Sequence, residues 1–136
     1  SNIDLVPTVL DFLNITGEEL SGISVMEKDK LNTRETLFIE CYHHDILNIE
    51  LPTETVLYKV ALNKKWKLML PNTKMVVREF TLPEEHYYGY YSNKPQLYDL
   101  ENDPEEKVNL AKQYPDIVAI MSNQINNWWQ PIKRMN

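Results

Sequence analysis

Apolar positions change their period along this chain, and the changes mark out its elements. Between residues 4 and 14, Leu5, Val6, Val9, Leu10, Phe12 and Leu13 form a broad helical stripe, with Asp4 placed to cap it and Pro7 tolerable in the first turn. The spacing predicts a buried helix. So wide an apolar surface needs a partner, and the residues that follow can cover only part of it. Exposed apolar surface, or a homodimer through this helix, is therefore expected. Residues 15–33 carry Gly17, Gly22 and scattered charges without a period, which predicts a connecting loop.

From Glu35 the period becomes two. Thr36 to Tyr42 alternates and is rich in β-formers. Thr55 to Leu62 sets Val56, Tyr58, Val60 and Leu62 on one face against Leu57, Lys59 and Ala61 on the other. Asn63-Lys64-Lys65 reads as a tight polar turn into a strand from Trp66 to Leu70, which Pro71-Asn72 ends, and Gln96 to Leu100 supplies another short strand. Asp103 as N-cap, Pro104 at the first helical position and Glu106 three residues after the cap predict a helix over 104–111. Pro115-Asp116 opens a last helix in which Ile117, Met121, Ile125 and Trp128 recur at helical spacing, with Pro131 as its stop. The order of elements predicts an α+β fold: an antiparallel sheet of about four strands, packed on one face by a C-terminal helix.

Composition narrows the class. The 136 residues suit one compact domain, and 20 acidic against 14 basic residues leave a net charge of -6, which argues against a nucleic-acid partner. The hydrophobic fraction of 43% is ordinary, and no apolar run approaches the roughly 20 residues that a membrane span requires. A single cysteine, Cys41, excludes an internal disulfide and leaves the compartment open. The chain opens Ser1-Asn2-Ile3-Asp4, without Met and without a signal-peptide pattern, which reads as a piece of a longer protein.

Candidate chemistry is sparse. Tyr42-His43-His44-Asp45 is the one place where imidazoles and a carboxylate crowd together, so His43 and His44 are the candidate substrate contacts. Strand alternation sends neighbours to opposite faces, which argues against joint metal coordination unless the strand breaks between them. Cys41 lies close in sequence to both histidines. Two residues along a strand is poor geometry for proton abstraction, so a buried structural thiol is expected. Tyr87 to Tyr91 and Trp128-Trp129 offer faces that could grip a sugar, but packing is the favoured reading for both: a Tyr-rich segment wedged against the sheet, and one tryptophan ring packed inward with the other capping the core edge. Lys64, Lys65 and Lys67 read as the solvated turn and outer face of the hairpin. No Gly-rich phosphate loop, paired-cysteine zinc pattern, HExxH or GxSxG occurs.

Three blocks carry a resemblance. Ile3-Asp4-Leu5-Val6-Pro7-Thr8-Val9-Leu10-Asp11, then Lys65-Trp66-Lys67-Leu68-Met69, then Leu97-Tyr98-Asp99-Leu100 through Asp103-Pro104-Glu105-Glu106 to Asn109-Leu110-Ala111 occur in the order found in sulfatase (arylsulfatase-like) hydrolases. The third block is the most specific, and the chain as a whole resembles the C-terminal region of that family. Lys59 is a departure, since many members have an arginine there. The resemblance implies that residues 1–33 are the last helix of an upstream α/β catalytic domain plus a connecting loop, and that residues 34–136 are the C-terminal subdomain beside it. It implies hydrolysis of sulfate esters, of a sugar, with the subdomain helping to shape the pocket. The expected partners are the missing catalytic domain and a sulfated small molecule or glycan. Localisation would be periplasmic or secreted if the parent is a bacterial sulfatase.

The family's nucleophile is a formylglycine made within a Cys/Ser-x-Pro/Ala-x-Arg motif, and it works with calcium held by acidic residues. After Cys41 the required positions hold His43 and Asp45, and no serine starts the motif either. The resemblance therefore places nucleophile, calcium ligands and acid/base groups upstream of Ile3. No catalytic or metal-ligating residue is expected within this chain. Two other readings stay open: a free-standing carbohydrate or protein interaction module, and the corresponding part of a related phosphoesterase.

Overall fold

The structure is a computed structural model, and it describes residues 1–17, 19–42, 52–72 and 92–130. Contacts divide the chain after Glu35 into two units.

In the first unit a 3₁₀ turn, Asn2–Asp4, runs into α1, Leu5–Phe12, and a short helix, α2, spans Lys28–Asn32 inside the stretch expected to be loop throughout. Asp4 does not cap α1 with its side chain. Its carboxylate is instead the hub of the unit. Arg34 donates to both oxygens, at 2.8 and 2.7 Å, and the Ile23 N–H donates to Oδ1 at 2.9 Å. One and two turns further along α1, Thr8 Oγ1 accepts the Val25 N–H at 3.0 Å, and Asp11 accepts the Ser24 hydroxyl at 2.6 Å. Asp4, Thr8 and Asp11 recur at i, i+4 and i+7, so the polar stripe of the helix faces the chain's own 23–25 segment. Gly22 permits this approach, because a Cβ there would meet the Ile3 carbonyl oxygen at 1.9 Å.

The apolar stripe faces out. Leu5, Val6, Val9, Phe12 and Leu13 are 53–72% exposed, and no residue of α1 is buried. The sequence expectation of a buried helix fails for these residues, whereas the expectation of exposed apolar surface holds.

The second unit is the α+β arrangement that the periodicity predicts. Strands β1 (Leu37–Tyr42), β2 (Val56–Leu62), β3 (Trp66–Pro71) and β4 (Gln96–Asp99) form an antiparallel sheet in sequence order, and α3, Pro115–Trp128, packs on one face. Register explains the core. Phe38 pairs with Ala61, Ala61 with Leu68 and Leu68 with Leu97, which places one row of side chains under Met121 and Ile125 of the helix. Phe38 also stacks on Trp128, with ring centroids 5.0 Å apart. The opposite face carries a smaller cluster of Val60, Met69 and Tyr98.

The β2–β3 turn closes as expected, because Asn63 Oδ1 accepts the N–H groups of Lys65 and Trp66. Lys67, expected to be solvated, is half-buried and donates to both oxygens of Glu106, at 2.7 and 2.6 Å.

The helix expected over 104–111 is absent; the segment is a succession of turns. Asp103 spends its carboxylate on the Val108 N–H, at 2.8 Å, and Glu106 adopts a φ of 56° that no right-handed helix accepts. The cause lies in β4. Its outer edge would leave the Leu97 N–H and C=O unpaired, and Asn109 Oδ1 accepts the first while the Leu110 N–H satisfies the second. Asn109 Oδ1 also accepts the Ala111 N–H. Asp99 ends the strand with an Asx turn, accepting the N–H groups of Glu101 and Asn102 on Oδ1. The most specific block of the sequence therefore seals a sheet edge.

Candidate functional site

Of the candidate residues read from the sequence, His43, His44 and the Tyr87 to Tyr91 tract lie outside the described residues. The strand that delivers the histidines is described, and its end is irregular. Cys41 pairs with Tyr58 and Tyr42 with Val56, so Leu57 is an extra residue on β2. A bulge of this kind bends and twists a ladder locally and re-aims the side chains around it. It stands one residue before His43.

The helix face of the sheet next to this bulge carries a small polar and aromatic cluster. Glu40 lies opposite Lys59 in the β1–β2 register, and Tyr42, two residues further along β1, donates its hydroxyl to Glu40 Oε2 at 2.7 Å. Lys59 Nζ lies 4.0 Å from the ring centroid of Trp129, the residue that follows α3. The Trp129 Nε1–H is buried without an acceptor among the described residues. Partial burial lowers the Lys59 pKa from its ordinary value, and the Glu40 carboxylate opposes that shift. Sequence reasoning weighed Trp129 and noted Lys59, but missed their association with Glu40. Alternation along β1 is the signal that could have put Glu40 and Tyr42 on one face.

Cys41 points to the other face and is half-buried, where a buried thiol was expected. Its Sγ lies 4.0 Å from the Tyr42 carbonyl oxygen, a weak contact. Trp128 packs inward against Phe38, as one of the two tryptophans was expected to do.

Elsewhere the strongest electrostatic perturbations are structural. Arg34, together with the Ile23 N–H, holds the Asp4 carboxyl well below the usual carboxylate range against the opposing effect of burial, and the same pairing raises the Arg34 pKa. The Asn102 side chain is the main cause of a lowered Asp99 pKa. Among the described residues no group of three His, Cys, Asp or Glu side chains is placed to hold a metal ion.

No protein-family model matches the chain. In sequence it is similar to an N-acetylgalactosamine-6-O-sulfatase of Bacteroides thetaiotaomicron, with 36% identity over 63 residues, which is 46% of this chain and 12% of that enzyme. Among solved structures it is similar to a 2-O glycosaminoglycan sulfatase, with a TM-score of 0.60 and 19% identity over 92% of this chain and 23% of the other. A sulfatase from a Bacteroides thetaiotaomicron locus for the metabolism of multiple glycosaminoglycans gives a TM-score of 0.56 and 22% identity over 91% of this chain and 24% of that one. A phosphonate monoester hydrolase of Agrobacterium radiobacter gives 0.58 and 20% over 91% and 23%.

The four-stranded antiparallel sheet with its packed helix is an α+β fold, and it is shared with these solved sulfatases. The chain is similar to sulfatases in sequence as well as in fold, as its three motif blocks imply, and it spans about a quarter of the length of the solved relatives.

Proposed function

We propose that these residues are the C-terminal portion of a sulfatase-type enzyme that hydrolyses sulfate esters of a sugar. The apolar face of α1 packs into the catalytic domain, of which α1 is the last helix, and the lobe of residues 34–136 lies beside that domain and helps to shape the substrate pocket, with His43 and His44 as its contributions to the lining. The observation that carries this reading is the inside-out helix. Asp4, Thr8 and Asp11 turn inward while Leu5, Val9 and Phe12 are at least half-exposed, a cost that covering polypeptide would remove. A free-standing interaction module calls for the reverse, a covered first helix. Formylglycine and calcium belong to the absent domain in this reading, because the chain has no Cys/Ser-x-Pro/Ala-x-Arg motif. Sulfuryl transfer needs a positioned nucleophile and strong electrostatic stabilisation of the transition state, and these residues do not supply both. The isolated chain is therefore inactive.

The test is kinetic. The full-length gene product should hydrolyse a sulfated aminosugar or an aryl sulfate, and His43→Ala and His44→Ala should raise KM more than they lower kcat. Turnover by the 136-residue chain alone would refute the proposal, as would a full-length protein without the formylglycine motif. The likeness to a phosphonate monoester hydrolase supports a second reading, in which the ester is one of phosphorus. Aryl phosphate and phosphonate esters assayed beside the sulfate separate the two.

A further inference from the structure

Lys59 is a half-buried ammonium with no hydrogen bond or contact ion pair among the described residues, the Glu40 carboxylate acting on it only as a neighbouring charge. The carboxylate opposite it, on Glu40, is turned to the Tyr42 hydroxyl, and the nearest partner of Nζ is the π-face of Trp129. A cation held over an indole keeps much of its charge available, because the ring offers an electrostatic surface but no lone pair. Three donor and acceptor types thus adjoin one another: an ammonium over an aromatic face, a carboxylate across the strands from it that can accept hydroxyls, and a phenol bound to that carboxylate.

We infer that Glu40, Tyr42, Lys59 and Trp129 form a subsite for an acidic saccharide, in which Lys59 receives an anionic oxygen and Glu40 accepts a ring hydroxyl. Either a sulfate ester or a sugar carboxylate satisfies the ammonium. Glu40 repels a bare anion, so the saccharide hydroxyls supply the rest of the affinity and the selectivity. The sheet holds the geometry. Glu40 and Lys59 are cross-strand partners, and Trp129 directly follows α3, whose Trp128 is stacked on Phe38. The subsite sits one residue before His43 in the chain and deepens the sulfatase reading above, resting on it for the presence of a sugar at this end of the sheet.

Binding to the 136-residue chain tests the inference without any hydrolysis. Galactose 6-sulfate, glucuronic acid, neutral galactose and inorganic sulfate are titrated into ¹⁵N-labelled protein, following the Trp129 indole N–H and the Lys59 and Glu40 amides. At least one acidic sugar should shift these signals with an affinity ten or more times that of galactose and of inorganic sulfate. Which of the two does so assigns the anionic group. Lys59→Met should weaken that binding about tenfold, and Lys59→Arg should restore it to within about threefold.

Spectral dispersion shows whether each variant is folded. Equal affinity for inorganic sulfate or for galactose overturns the inference, as does a folded Lys59→Met that binds as tightly as the parent. The two readings fail separately. Hydrolysis by the full-length enzyme with a KM indifferent to Lys59→Met leaves the sulfatase and removes the subsite; Lys59-dependent sugar binding with an inactive full-length protein does the opposite.

Discussion

Among the described residues of the second unit the core is apolar: Ala61, Leu68, Leu97, Met121 and Ile125 form a cluster with at most 2% exposure, and the exposed positions of α3, Ile120 apart, are mostly polar. In residues 1–35 the assignment is reversed, with Asp4 at 3% exposure bound to Arg34 and Ile23, and Phe12 at 72%. One unit is held by the hydrophobic effect in the usual sense. The other is held by charge-assisted hydrogen bonds, while its apolar stripe contributes almost nothing to its own stability. Two units of one chain therefore answer to different variables, burial in one and ionisation in the other. An apolar face that does no internal work is what a surface kept for another contact looks like.

The largest effect that can break this contrast is a cavity in the second unit. Leu68→Ala empties a fully buried position between Ala61 and Leu97, and it should cost about 3–4 kcal/mol in a thermal or urea melt. A loss under about 1 kcal/mol would mean that the core is not where the stability of residues 36–136 resides. In the first unit the corresponding variant is Asp4→Ala, which strands the mostly buried Arg34 guanidinium. It should cost roughly 3 kcal/mol, read as lost amide protection at Ile23.

The acid response has a definite sign. A carboxylate held low in the folded state contributes stability that is fully present above the unfolded range of about pH 4 and lost as pH falls towards the folded value. Residues 1–35 should therefore loosen first in acid. Between about pH 4 and pH 2 the Ile23 and Val25 resonances should move to random-coil positions before those of Leu68 and Leu97. The reverse order would contradict the division of labour.

The edge of β4 offers a smaller test. Asn109→Ala leaves the Leu97 N–H without its acceptor and should cost about 1–2 kcal/mol, with faster exchange at Leu97. The same residue explains what the sequence concealed. The period of two along β2 and β3 and the period of 3.6 along α3 were legible because each reports burial on one face, and Met121, Ile125 and Trp128 sit where their spacing put them. The helix over 104–111 was misread because Asp103, Pro104 and Glu106 satisfy a local rule, while the groups that override it lie on another element. Only the structure shows the Leu97 amide and carbonyl competing for Asn109 and Leu110. Asp4 was misread in the same way. A cap is a local reading, and its partner Arg34 is 30 residues away. The Glu40–Lys59 register and the Lys59–Trp129 contact likewise need the fold before they exist, so the candidate subsite left almost no trace in the sequence.

The smallest expected change in stability is the most telling about the first helix. Phe12 lies mostly in solvent, so Phe12→Ser removes little buried area, and the chain's melting free energy should stay within about 0.5 kcal/mol of the parent. Its effect should appear in association instead. Removing a large apolar side chain from a stripe shared with Leu5, Val9 and Leu13 should reduce concentration-dependent self-association of the isolated chain in sedimentation velocity. On the proposed reading the same substitution in the full-length protein should destabilise by about 2 kcal/mol or more, because the ring would then be in a packed interface. If Phe12→Ser is as harmless in the full-length protein as in the isolated chain, the apolar face of α1 has no covering polypeptide, and the contrast between the two units is not explained by a missing domain.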